Sequence, residues 1–255
     1  MSGVLALWWR EIVRFVRQRS RLIGAGAQPL LFWLLLGGGF YASFRPAGTP
    51  DEVGALQYFY PGILTLVLLF TAIFSTIAVV EDRKSGFLQG VLVAPIGRGG
   101  IVLAQVLGGS TLAVVQAALL LVLAPLVQVP LSAAGVVAAI AVMAAIAFAL
   151  TSLGLVIAWR MESTQGFHAI MNLILMPIWL LSGAFFPAAG AAGWLGWVMQ
   201  LNPLTYGMAA LRRCLYLGAP GAVGDVPPLA LSLTVTLAFG AAAFAAATAI
   251  AKRSE

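Results

Sequence analysis

Long uncharged apolar stretches separated by short clusters of charge set the pattern of this chain. A spanning helix needs roughly 20 apolar residues to cross about 30 Å of hydrocarbon, and the stretches have that size. One lies between Arg21 and Arg45, predicting a span at about 22–44, and a second between Glu52 and Glu81, at about 58–80. The stretch between Arg98 and Arg160 is too long for one crossing. Pro125 and Pro130 mark a turn near its middle, so it divides into 100–123 and 131–158. A fifth span covers 166–186, and the last, between Asp225 and Lys252, covers 229–251. Between Pro187 and Pro203 a helix of roughly 15 residues would rise only about 22 Å, short of a crossing. The pattern therefore predicts an all-α polytopic membrane protein: six transmembrane helices in a single domain over 1–255, with an outward re-entrant or interfacial helical hairpin at 187–217 between spans five and six.

Two shorter segments carry a period of their own. In residues 2–20, at about 100° per residue, Leu5, Trp8, Ile12, Phe15 and Val16 fall on one side and Arg10, Arg14, Arg17 and Arg21 on the other. Val13 and Arg19 break the pattern. An interfacial helix is expected, its apolar side at the acyl boundary and its arginines meeting phosphate or water. The arginine-studded start has no short apolar core with a small-residue cleavage site, so no cleavable signal peptide is expected. After the second span, Glu81-Asp82-Arg83-Lys84 opens a cytoplasmic coupling loop at 81–98. There Phe87, Leu88, Val91 and Leu92 gather on one face of a short helical run that Pro95 ends. Such a face suits a helix-in-groove contact with a partner protein; the alternative is a helix lying on its own membrane domain. Farther on, Asn202-Pro203 starts a helix with its cap in place, and Trp194, Trp197 and Tyr206 suit an interfacial belt.

Composition excludes the other broad classes. The chain is 62% hydrophobic and 9% charged, with a mean hydropathy of +1.02, far from the quarter of charged residues usual in a soluble domain. The net charge of +6 sits mostly beside apolar runs, which points to orientation against anionic lipid and not to nucleic acid. With six spans and an inside N-terminus, Arg45, Arg212 and Arg213 lie outside and the other eleven of fourteen basic residues inside, with both termini cytoplasmic. A seven-span arrangement gives the same split, so length and not charge selects six. One cysteine, Cys214, leaves no internal disulfide, and one histidine, His168, cannot by itself build a metal site.

The order of these parts resembles the permease subunits of type-2 ATP-binding-cassette (ABC-2) exporters, the group containing daunorubicin-type drug exporters and nodulation-factor or polysaccharide exporters. The landmarks are Tyr60-Pro61-Gly62 opening span two, Glu81 with Gly86-Phe87-Leu88 through Ala94-Pro95-Ile96 in the loop, Ser182-Gly183 with Phe186-Pro187 after span five, and Asn202-Pro203-Leu204-Thr205-Tyr206 with Leu211-Arg212. Phe87 departs from the small or hydroxyl residue expected after the loop glycine. The resemblance implies export through a pathway between two permeases, a homodimer in the simplest case, in the inner membrane of a prokaryote. It implies that Glu81, Gly86, Phe87, Leu88, Val91, Leu92 and Pro95 meet a separate ATPase subunit, and that Ser182, Gly183, Phe186, Pro187, Asn202, Pro203, Tyr206 and Arg212 build the outward hairpin or gate. ATP and Mg would sit on that partner and no cofactor on this chain, which is expected not to be an enzyme.

The residues themselves agree with that division of labour. Lys84 and Lys252 are the only lysines and neither follows a glycine, so no G-x-x-x-x-G-K-[ST] phosphate loop exists here. A gradient-driven secondary transporter is the alternative within transport. It wants ionisable groups inside the spans, yet none of the eight acidic residues falls in a span interior, and His168 lies near the cytoplasmic boundary. An intramembrane enzyme would have to pair His168 with Ser163, Thr164 or Ser182; Ser182 lies fourteen positions farther along the helix, roughly 20 Å away. Pro177 should bend span five and free a backbone carbonyl. Gly37-Gly38-Gly39 and Gly108-Gly109 with Ser110 permit close helix contact, and Gln105, Gln116 and Asn172 are mid-span polar groups for interhelical hydrogen bonds or the pathway. A charge-free lining suits an amphiphilic cargo such as a drug, lipid or lipid-linked glycan.

Overall fold

The computed structural model describes residues 3–39, 53–185 and 191–253, and among these every regular element is helical. The elements are α1 (Gly3–Arg17), α2 (Arg19–Gly39), α3 (Ala55–Ser75), α4 (Ile77–Lys84), α5 (Phe87–Leu92), α6 (Arg98–Leu121), α7 (Ala133–Ala158), α8 (Thr164–Trp179), α9 (Gly193–Leu201), α10 (Pro203–Leu215) and α11 (Leu229–Arg253). Helices alone satisfy their backbone polar groups internally, which is what a hydrocarbon solvent demands. Five helical stretches are long and apolar enough to cross a membrane: Ala55–Lys84, Arg98–Leu121, Ala133–Ala158, Thr164–Ala184 and Leu229–Arg253. A shorter apolar stretch, Ala27–Gly39, occupies the place of the first predicted span, whose remainder, 40–44, lies outside the described residues.

The helix starts follow from local chemistry. Ser132 caps α7 by accepting the N–H of Gly135 at 3.0 Å, and Ser163 caps α8 by accepting that of Gly166 at 3.3 Å. The turn foreseen at Pro125 is a short 3-10 segment, Ala124–Val127, closed by Gln128 in the left-handed region. One boundary differs from expectation. The Glu81-Asp82-Arg83-Lys84 cluster is not loop but the last turn of α4, which continues α3 past a single break at Thr76. Arg83 and Lys84 suit the negative end of that helix, and the carboxylates find partners described below.

α3 is the hub. Seventeen of its 21 residues are buried, and it packs against α2, α6, α7, α8 and α10. A helix apolar all round needs neighbours all round. Small residues let those neighbours approach: Gly109 of α6 lies against Ser75 and Thr151, and Gly154 of α7 against Thr76 and the Ile73 backbone. Gln116 accepts a hydrogen bond from Thr71 of α3, so this mid-span amide joins two helices. Gln105 faces a void of about 20 Å³ that it shares with Glu11, Gln18 and Ser75. α11 and the outer side of α8 form the periphery.

A side chain at Gly154 would place its Cβ 2.8 Å from Thr76 Oγ1 and 3.3 Å from the Ile73 Cα. Gly154→Val should cost about 1–3 kcal/mol through overpacking. Gly24→Ala, which meets nothing within 4 Å, should be neutral or gain up to about 1 kcal/mol by helix propensity. Thermal midpoints of the purified proteins in one detergent test the contrast; equal shifts would mean that α3 and α7 are not packed at this point.

Candidate functional site

The charges of α1 and α4 meet in one cluster. Asp82, its side chain 5% exposed, accepts Arg10 through both carboxylate oxygens at 2.9 and 2.8 Å and Arg14 at 2.7 Å. Arg14 also reaches Glu81 at 2.6 Å, and Arg10 reaches Glu11 at 2.8 Å. Forked guanidinium pairing of this kind is both strong and directional. The arginines expected to meet phosphate or water are thus corrected for Arg10 and Arg14: an acidic pair stands within reach, and a desolvated carboxylate without a partner would be costly. Arg17 remains exposed. The apolar side of α1 divides as well. Trp8 and Phe15 turn toward α6, with Trp8 Nε1 donating to Thr111 at 3.3 Å, while Leu5, Trp9 and Val16 stay exposed.

The cluster holds the segment that follows it. Gly86, at φ +75°, turns the chain from α4 into α5, a conformation suited to glycine. The ring of Phe87 then lies under the Arg10 guanidinium at 3.8 Å, a cation–π contact that gives this unexpected aromatic a role. Leu88 and Val91 are buried against the chain's own core at 4% and 9% exposure. Surface open to a partner is therefore narrower than the period alone predicts: Phe87, Gln89, Gly90, Val93 and Pro95. The side chain of Leu92 lies outside the described residues. Arg83 donates to the carbonyls of Trp159 and Met161 at 2.7 and 3.1 Å, tying α4 to the end of α7. Arg10, Arg14 and Asp82 were missed from sequence. Their signal was charge of opposite sign at the inner ends of two neighbouring hydrophobic segments.

At the opposite end α8 loses its helical register. Leu180–Ala184 widens into a π turn that ends with Gly183 at φ +82°. The α9–α10 hairpin meets this end of α8: Asn202 Nδ2 donates to the Ile178 carbonyl at 2.7 Å, and the Thr205 hydroxyl, which donates to Met199 at 2.7 Å, lies 3.2 Å from the carbonyl of Leu181. The same Asn202 caps α10 by accepting the N–H of Leu204 at 3.0 Å, with Pro203 at the first helical position. Pro177 was expected to free a carbonyl; the one that Asn202 takes up lies just beyond it. Ser182, 1% exposed, donates to its own Trp179 carbonyl at 2.6 Å, and Trp179 Nε1 donates to Gly62 of α3 at 2.8 Å.

Tyr206 donates to the Gln200 carbonyl at 3.0 Å. Buried Arg212 donates to Tyr58 at 3.3 Å, its guanidinium 4.4 Å from that ring. Phe186 and Pro187 lie outside the described residues. His168 packs on Phe74 at 5.2 Å on the exposed side of α8, away from the buried Ser182 hydroxyl, and the two form no catalytic pair.

Two measurements test the inner cluster. A double-mutant cycle with Arg10→Ala and Asp82→Ala should return a coupling energy on the order of 1–3 kcal/mol in thermal or denaturant unfolding; additive effects would break the pairing. Glu11 holds its proton above the usual carboxylate range, chiefly because burial disfavours its charge, with Asp82 adding repulsion and Arg10 and Arg14 opposing both. A raised folded value means that its contribution is intact below the unfolded value and lost as pH rises through the folded one. Glu11→Gln should therefore gain in thermal midpoint on the parent as pH rises from about 4 to 7. Parallel pH profiles would contradict a desolvated Glu11.

Comparison with known proteins agrees with this arrangement. The ABC-2 type transporter family matches residues 2–216. A protein named as a transport permease, ycf38, of Cyanophora paradoxa is 27% identical over 80% of this chain and 70% of its own length. Its namesake in Porphyra purpurea is 25% identical over 83% and 73%. The daunorubicin resistance ABC transporter permease protein DrrB1 of Streptomyces coeruleorubidus is 23% identical over 85% of this chain and 76% of its own. A match that runs from the charged α1 through α4, α5 and the broken α8 to the end of the capped hairpin shows that the chain belongs to the ABC-2 type transporter family, as a multi-pass membrane permease.

Proposed function

We propose that this permease is the membrane half of an exporter for amphiphilic cargo (a drug, lipid or lipid-linked glycan), working as two copies in the inner membrane of a prokaryote. A separate ABC ATPase subunit, holding ATP and Mg, would drive it. The observation that carries the proposal is the clamped α5. Phe87 on it and Val93 and Pro95 just after it are exposed, Val93 to 86%. It is held to α1 by the Phe87 ring under Arg10, which itself is paired with Asp82 of α4, and by the buried Leu88. A partner pressing on that surface moves α1, α4 and the α3 hub together, and a packed core transmits such a push as a rigid-body shift.

Orientation follows from the same end of the molecule. α1, α4 and α5 and the end of α11, with Lys252 and Arg253, would face the cytoplasm. α2, with its apolar stretch Ala27–Gly39, would supply the sixth crossing. The α9–α10 hairpin would enter from the outer side and turn at Asn202 part-way through.

Support for a paired pathway comes from polar groups on an outward face. Gln165, His168 and Asn172 recur at helical spacing on α8 and are all exposed, and Gln28 of α2 is exposed beside them. Gln28, Thr71, Phe74 and His168 line a cavity of about 190 Å³. Against hydrocarbon these amides would lack partners; against a second copy they line a route for the polar part of a cargo, while exposed Ile170 and Leu173 serve its apolar part.

The partner surface is tested by Phe87→Asp and Val93→Asp in the full chain, co-expressed with an ABC ATPase of the same transporter. Co-purification and cargo-stimulated ATP hydrolysis should fall about tenfold, with the thermal midpoint of Val93→Asp unchanged. Undiminished association of both variants would remove the docking role of α5.

A further inference from the structure

A short hairpin leaves space beneath it. α10 has 13 residues and α9 has nine, rising about 20 and 13 Å, whereas α7 and α11 have 26 and 25. α10 begins beside the middle of α7, where Gly207 abuts Ile146, and ends near its start, where Gly135 meets the Cys214 carbonyl. Residues 151–158 of α7 therefore continue toward the charge cluster without a hairpin alongside.

Just off the hairpin tip lies a cavity of about 240 Å³ lined by Ile146, Leu150 and Leu153 of α7, Leu204 and Gly207 of α10, and Phe239 of α11, with Ile178 and Pro203 at its edge. Thr236 is the one side chain with a polar group in the lining, and its hydroxyl already donates to the Ser232 carbonyl at 2.8 Å. Water needs two to four polar partners to occupy a void, and apolar voids of about 150 Å³ are dry and take up apolar molecules. No charged group lines the cavity, so it offers a head group nothing. Leu153, Ile178, Pro203 and Phe239 are only half-buried, which opens it sideways, and Leu237 beside that opening is 59% exposed.

We infer that an acyl chain of a membrane lipid, entering from the inner leaflet between α7, α8 and α11, occupies this cavity and supports the Asn202-Pro203 tip of the hairpin. The occupant follows from chemistry. In the bilayer placement proposed above, on which this inference rests, the opening faces hydrocarbon, and an apolar slot open to hydrocarbon fills with it. The tip also holds the Ile178 carbonyl of the broken α8 through Asn202. A lipid tail beneath it therefore shares a boundary with the outward end of the pathway, and chain length and unsaturation in the inner leaflet would tune how far the tip can move.

The test uses the full chain in sealed phosphatidylcholine–phosphatidylglycerol vesicles carrying a tracer phospholipid with a mid-chain diazirine. After irradiation, adducts are mapped by peptide mass spectrometry. Residues 146–153 and 204–207 should be labelled although they are largely buried, alongside the exposed Leu119 and Leu237. Leu153→Trp, and separately Ile178→Phe, should lower cavity labelling about tenfold and leave Leu119 and Leu237 unchanged; either folded variant suffices. Adducts confined to the exposed positions would overturn the lipid site while leaving the membrane placement intact, as would a cross-link to a second copy in place of lipid. Absence of adducts at Leu119 and Leu237 as well would overturn the placement itself.

Discussion

Hydrocarbon offers no hydrogen bonds, and this constraint governs each irregularity of the structure. Where the backbone is regular, helices answer it internally. Where it is not, side chains take up carbonyls: Asn202 serves Ile178 near the end of α8, Arg83 serves the end of α7, and Arg213 serves Pro227 and Val226 before α11. Hydroxyls inside the helices bond back to carbonyls three or four residues earlier, as Thr65, Thr151 and Thr236 do.

The same economy explains how the two ends are joined. α3 runs from the aromatic cluster of Tyr58 and Tyr60 to the break at Thr76, and α4 carries on to Asp82. Near its start the hub receives the Trp179 indole at Gly62 and the Arg212 guanidinium at Tyr58. At the far end α4 receives Arg10 and Arg14. The buried α3 and its continuation α4 thus lie between two sets of directional bonds, in a packed interior that yields little.

Much of this was legible in the chain. The places of the five long apolar helical stretches followed from the spacing of charges, since the cost of a buried charge is large beside any packing preference. The start of a helix at Asn202 followed from capping chemistry and the turn near Pro125 from its prolines, whereas the cap at Ser163 was not foreseen. The close approach at Gly108 and Gly109 followed from side-chain size; at Gly37 only one of the three glycines meets a neighbour, Leu56. The amphipathic period of α1 was also correct, but the destination of its arginines was not. Period tells which residues share a face and says nothing about what stands opposite.

That distinction separates what the sequence determined from what required the fold. Helicity, the approximate crossings and the apolar character of the membrane segments are properties of local windows, set by transfer free energy over roughly 20 residues, and the chain alone determined them. The pairing of Arg10 with Asp82, the burial of Leu88 and Val91, and the seating of Asn202 on α8 join residues 72, 24 and more positions apart. Only tertiary structure decides these, because they depend on which helix faces come together, and nothing within a single window encodes the identity of the opposing face.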